Sequence, residues 1–204
     1  MNKKFKYVEL PPDLEVVGME KKTKQAKRKP SSLPETPVPI AMGYFEGEAI
    51  SSIIAPVLSD DLKRYYMQKR WLPGEEEDWE HLDRFFERTE HGRPFISGSA
   101  IIGMMNMYCR VVDDEVRDIW GKLKQKIHVL RMEGEPSVLH KRFVGGTIVV
   151  YECFPARARL YLHYLDMGLS DEERETLKRI ISKVGSTIGV GAWIRRGFGR
   201  FKLL

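Results

Sequence analysis

A chain of 204 residues with 42% apolar side chains can bury one sizeable core. Its two cysteines, Cys109 and Cys153, stand apart in apolar surroundings, which argues against a disulfide framework or a zinc site, and no apolar run is long enough to span a bilayer. The net charge of +5 is unevenly placed: residues 1–30 carry nine Lys/Arg against four acids, and residues 185–204 carry four against none.

A reduced, cytoplasmic protein is therefore expected, with basic ends on an acidic body, the distribution a surface facing a polyanion requires. Residues 1–37 read as a flexible basic arm and linker. The stretch 18–39 combines lysines with four prolines and almost no large apolar residues. Lys21, Lys22, Lys24, Lys27, Arg28 and Lys29 supply its charge.

The folded domain is expected over 38–204, opening with a strand in PIAMGYFEGEAISSII. Two helical patterns follow, SDDLKRYYMQKRW and EEEDWEHLDRFFERTEHG, and predict a helical insertion over about 57–92. In PFISGSAIIGMMNMYCRVV, Ile101, Met104, Met105, Tyr108 and Val112 keep helical spacing behind a turn that Ser97 or Ser99 can cap.

Beyond residue 125, QKIHVLRM, SVLHKRFV and GTIVVYECF read as strands. RARLYLHYL alternates, placing Ala158, Leu160, Leu162 and Tyr164 on one face and Arg157, Arg159, Tyr161 and His163 on the other. Ser170 to Glu173 form a capping box ahead of Leu177, Ile180, Ile181 and Val184, with Gly185 as the expected helix end. A short strand, GRFKLL, closes the chain. The order predicts an α+β fold: a single ferredoxin-like (RRM-like) β-α-β-β-α-β core with the helical insertion and the flexible basic N-terminal arm.

Chemistry concentrates in residues 185–200. Here Gly189, Gly191, Gly197 and Gly199 are interleaved with Trp193, Arg195, Arg196, Phe198 and Arg200, without an acid. Glycine lets backbone amides approach a phosphate, arginine adds charge, and aromatic rings can stack on bases. A second candidate is Ser97, Gly98 and Ser99, small residues at a helix N-terminus. Arg157 and Arg159 join these candidates as exposed cations on their strand. The alternative is that the glycines make turns, the aromatics fill core and the serines merely cap.

No catalytic pattern appears. The five histidines, His81, His91, His128, His140 and His163, lack metal-ligand spacing, and Asp60-Asp61 and Asp113-Asp114 fit helix starts. No active site, metal or cofactor is expected.

The segment PFISGSAIIGMM resembles the turn and helix of the RAMP superfamily, and GSTIGVGAWIRRGFGRFKLL looks like its C-terminal glycine-rich loop. Within that superfamily the likeness is to backbone subunits of CRISPR effector complexes, which hold guide RNA along a filament. Ile102 stands where that family carries a lysine, so the first loop lacks this charge. The C-terminal half is also similar to a phage and prophage family ending in a GIGEWRP…GRF-like pattern.

These resemblances imply a non-catalytic binder of single-stranded RNA or DNA that assembles with itself or related subunits, of cellular or viral origin, with no membrane contact. The competing classes are a viral assembly protein with a basic arm and a CRISPR transcript-processing endoribonuclease. The endoribonuclease should show two such domains and a histidine acid or base.

Overall fold

The computed structural model describes residues 40–111 and 114–204 of the chain. β1 (Ala41–Ala49) buries Phe45, Gly47 and Ala49 and leaves Tyr44 and Glu46 exposed, the period of a strand with one covered face. The chain continues through β2 (Ile53–Ile54), α1 (Asp60–Lys69), α2 (Glu76–Glu80), β3 (Leu82–Arg84), β4 (Glu87–Arg88) and β5 (Pro94–Ser97). Then come α3 (Gly98–Val111), α4 (Asp114–Leu123), β6 (Ile127–Glu135), β7 (Val138–Val144), β8 (Thr147–Phe154), β9 (Arg159–Asp166), α5 (Asp171–Thr187) and β10 (Phe201–Leu203).

Six strands form one sheet in the order β10-β1-β9-β6-β5-β4. β1 pairs antiparallel with β10 and β9, and β9 pairs antiparallel with β6. Hence β1 and β6 run parallel across β9, joined by α3 and α4, while β9 and β10 run parallel across β1, joined by α5. The result is an α+β fold consistent with a ferredoxin-like core. A second sheet is built on β8, with β7 along one edge and the short β2 and β3 on the other.

The main core lies between the large sheet and the helices. Leu160, Leu162 and Tyr164 of β9 meet Ile101, Met104 and Met105 of α3 and Leu177, Ile180, Ile181 and Val184 of α5 in one cluster. At about 25 cal/mol per Å² of apolar surface removed from water, this cluster supplies the dominant driving force for folding. A second cluster, Tyr66, Leu72, Trp79, Leu82, Phe85 and Val150, ties α1 and α2 to β8. The capping box closes as expected, Glu173 N–H donating to Ser170 Oγ and Ser170 N–H to the Glu173 carboxylate.

Three expectations need correction. The insertion over 57–92 is helical only in α1 and α2, because from Leu82 the chain pairs with β8 and then with β5. Phe85 and Phe86 accordingly point to different places: Phe85 enters the second cluster, and Phe86 stacks on Phe154 with centroids 4.0 Å apart. Gly185 does not end α5, which runs on to Thr187. A Cβ there would sit 2.7 Å from the Phe201 ring, so this glycine admits β10 against the helix. Finally, α4 is an element that the patterns above did not predict, although Val116, Trp120 and Leu123 give it a buried stripe. The expected arm, with Lys21, Lys22, Lys24, Lys27, Arg28 and Lys29, lies outside the described residues.

Candidate nucleic-acid interface

The glycine-rich segment is a loop closed on its own backbone. Gly199 has φ +86°, and a Cβ at that position would lie 2.1 Å from the carbonyl oxygen of Val190. The two arms of the loop can cross only there, where Val190 N–H donates to the Gly199 carbonyl at 2.9 Å. Gly189 and Gly191 lie equally tight, against Gly199 and against the Ile54 carbonyl. Ala192 N–H donates to Ile54, Gly199 N–H to Ser52, and Arg196 and Gly197 N–H to carbonyls inside the loop. Part of the expected phosphate cradle of amides is thus occupied by the fold itself. Gly197 differs, since a Cβ at that position would meet no atom within 4 Å.

The loop aromatics also have protein partners. Trp193 meets Tyr151 edge-on at 5.0 Å and Phe198 at 6.1 Å, and both loop rings pack half-buried on the small cluster of Ile54, Tyr151 and Cys153. For these two residues the core-filling alternative describes the geometry. Burial, together with the neighbouring Glu152 carboxylate, pushes the Cys153 thiol up to about 11, so it stays protonated at neutral pH.

The arginines behave differently. Arg195, Arg196 and Arg200 are exposed, as are Arg157 and Arg159. None of the five forms an ion pair with a carboxylate among the described residues, whereas Arg88, Arg131 and Arg174 each have one at 2.7–2.8 Å. The end of β1 brings the two arginine segments together. Arg157 N–H donates to the Ala49 carbonyl at 2.7 Å, and Ile50 N–H donates to the Arg200 carbonyl at 2.8 Å. Arg157 adopts φ +69°, a conformation that costs a residue with a Cβ about 1–2 kcal/mol. Arg196 lays its guanidinium over the Trp193 ring at 5.7 Å.

Ser97, Gly98 and Ser99 do not join this cluster. Ser97 ends β5 in the ladder row Ser97–Arg131–His163–Tyr44, while the arginines lie at the row Glu135–Arg159–Glu48–Lys202. Strand spacing and rise put the two places roughly 20 Å apart. Gly98 is buried, and a Cβ would lie 2.0 Å from the Val129 carbonyl, so close packing of α3 on β6 explains the glycine. The two serine hydroxyls bond to each other at 2.9 Å.

Among the described residues no group of three or more His, Cys, Asp or Glu is placed to hold a metal. Asp61 pairs with Arg64 in the first turn of α1, and Asp114 with Arg117 in α4, as helix-start acids do. No helix of the described residues is long and apolar enough to cross a membrane. The patterns above put Tyr161 and His163 on one face of their strand but did not bring Tyr44 to them, beside a cleft of about 330 Å³. Tyr44 stood in a strand whose exposed face only the pairing with β9 defines.

No family model matches the chain, and no curated protein does. Among solved structures it is similar to a chain of the Type III-B Cmr-beta complex bound to cognate target RNA. That match has a TM-score of 0.51 and 10% identity over 81% of this chain and 59% of the other, so this protein spans less than two thirds of that chain. It is also similar to Cmr6 from Pyrococcus furiosus (TM-score 0.46, 9% identity, 81% and 98% covered). A chain of a Type IV-B CRISPR complex gives TM-score 0.45 at 13% identity, with 80% and 90% covered. The likeness is one of fold, distant but broad, to subunits of CRISPR effector complexes.

Proposed function

We propose that this protein is a non-catalytic single-stranded nucleic-acid-binding subunit, with RNA as its ligand, related in role to the backbone subunits of CRISPR effector complexes or to a viral counterpart. The observation that carries the reading is five exposed arginines without an ion pair among the described residues: Arg157, Arg159 and Arg200 meet at one end of β1, and Arg195 and Arg196 stand on the same glycine-rich loop as Arg200. Glu48 and Glu135 neighbour Arg159 across the ladder without an ion pair to it, and Arg195, Arg196 and Arg200 come from a segment without an acid, so the surface keeps cations whose partners can come from outside, and phosphates fit them.

The fold shared with a subunit of a complex bound to target RNA supports the same reading. Lys21, Lys22, Lys24, Lys27, Arg28 and Lys29 of the sequence add charge for the same polyanion. Ser97 and Ser99, at a distance from the arginines, are left as helix-start residues. In this reading the protein acts with further copies or related subunits along the strand.

Titration of labelled single-stranded RNA and DNA at 50 and 200 mM salt tests it. Binding should weaken steeply with salt, with a log–log slope of about −0.7 per phosphate contacted. No binding to either at the lower salt overturns the proposal.

A further inference from the structure

We infer that the open face of the six-stranded sheet is a stacking platform for unpaired nucleobases, centred on Tyr44 and Tyr161 with His163 beside them. The inference rests on the nucleic-acid reading above but concerns other residues. The glycine-rich loop and its arginines sit at one end of the sheet, and these rings lie along its middle.

β1 and β9 are the two central strands of the ferredoxin-like order, and on their outer face Tyr44 and Glu46 are exposed and Tyr161 and His163 partly so. On that face Tyr44 lies directly across from His163 in the ladder, and Tyr161 is the next outward residue along β9. The ring centroids of Tyr44 stand 6.2 Å from Tyr161 and 6.0 Å from His163. Tyr44 is 56% exposed, so its ring is open to a ligand. The three rings border the cleft of about 330 Å³, which Arg93, Pro94 and Glu133 complete. That space suits a flat ring slid against an aromatic face, and two central strands carrying aromatics are the geometry by which four-stranded sheets stack successive bases.

Charge chooses the occupant. Glu133 is buried at the floor of the cleft, bonded by Arg131 Nε at 2.7 Å with Arg93 at 3.6 Å, and the Tyr161 hydroxyl donates to Glu135 at 3.2 Å. Arg131 and Arg93 offset Glu133 and Glu135, so the cleft has no excess positive charge to draw a phosphate, while Glu135 offers an acceptor to an exocyclic amino group, which suits a neutral base. The phosphates have their own place. Arg159 precedes Tyr161 by two residues on the same face of β9, about 7 Å along the strand, so the arginine cluster and the rings form one continuous track.

The test uses the full chain with the double variant Tyr44→Leu and Tyr161→Leu, which keeps β-compatible apolar side chains, together with two RNA oligomers of equal length, one with cytosine bases, which carry an exocyclic amino group, and one abasic. Wild type should bind the base-bearing oligomer at least about 30-fold more tightly than the abasic one, and the variant should lose that preference while its salt slope stays unchanged. Base preference retained in the variant overturns the platform and leaves the phosphate site standing. No binding of either oligomer by wild type overturns both readings. Because the variant can be checked only if folded, the wild-type protein is also photocrosslinked to RNA carrying 4-thiouridine. Adducts on the peptides containing Tyr44 or Tyr161 support the platform, and adducts confined to residues 189–200 overturn it.

Discussion

Replacing Arg195, Arg196 and Arg200 together by Gln separates binding from folding, because the three side chains are exposed and have no carboxylate partner among the described residues. Arg196 loses its 5.7 Å placement over Trp193, worth about 0.5–1 kcal/mol at an exposed site. Surface changes elsewhere cost within about 0.5 kcal/mol, so the triple variant should melt within a few degrees of wild type. Its binding should change in a characteristic way. Three phosphate contacts at about 0.7 each make the log–log salt slope shallower by about 2. Between 50 and 200 mM salt, wild type should then lose about 20-fold more affinity for single-stranded RNA than the variant does. Fluorescence anisotropy at four or five salt concentrations reads the slope, and a urea melt reads stability. A variant with the wild-type slope and affinity would refute the assignment of these arginines to phosphate. A variant that melts several kcal/mol early would show that they hold the fold.

Other perturbations probe the frame around the site. Glu152 is fully buried, accepts from Arg88 Nη2 at 2.7 Å and from Phe86 N–H at 3.0 Å, and joins the chain's two halves across β8. Arg88→Met should cost about 3–5 kcal/mol by stranding that carboxylate, and the double variant with Glu152→Met should recover part of it, the Phe86 N–H being left without its acceptor; equal losses for single and double variants in urea melts would exclude the ion pair as the cause. Gly197→Ala meets open space but a left-handed backbone, so it should cost about 1–2 kcal/mol, whereas Gly199→Ala adds a backbone clash and should cost clearly more. The same cost at both positions would show that the loop does not cross itself at Gly199. Burial holds His163 below its ordinary range, helped by Arg131 and Arg93 and opposed by Glu133. The folded state therefore resists its protonation: the stability it contributes is complete above about pH 6.5 and falls as pH drops toward the lowered folded value. Proton NMR should show a His163 midpoint below that of an unfolded peptide, and a midpoint above it would contradict the burial argument.

Local patterns carried much of this molecule. The alternation in RARLYLHYL, the capping box at Ser170 and the helical spacing of Ile101, Met104, Met105 and Tyr108 each describe how a short segment meets one apolar face, and neighbours in sequence are enough to specify that. The segment after Trp79 shows where such patterns stop. Leu82, Phe85 and Phe86 repeat at helical spacing, yet the chain extends because Val150 offers a strand edge and Phe154 a ring, both far along the chain. Composition alone likewise marked residues 185–200 as basic and glycine-rich, which left open whether the glycines present amides or let chains cross. The tertiary structure shows that chains cross at these glycines, through the contacts of Gly199 on Val190 and Gly191 on Ile54. It also divided the loop, packing Trp193 and Phe198 on the second sheet and leaving the arginines outside. The meeting of Arg157 and Arg159 with Arg200, and of Tyr44 with Tyr161 and His163, depends on β1 pairing with β9 and β10 in one register. Register is a property of the whole sheet, since a one-residue slip would turn every side chain to the other face, and so no stretch of sequence read by itself contains either cluster.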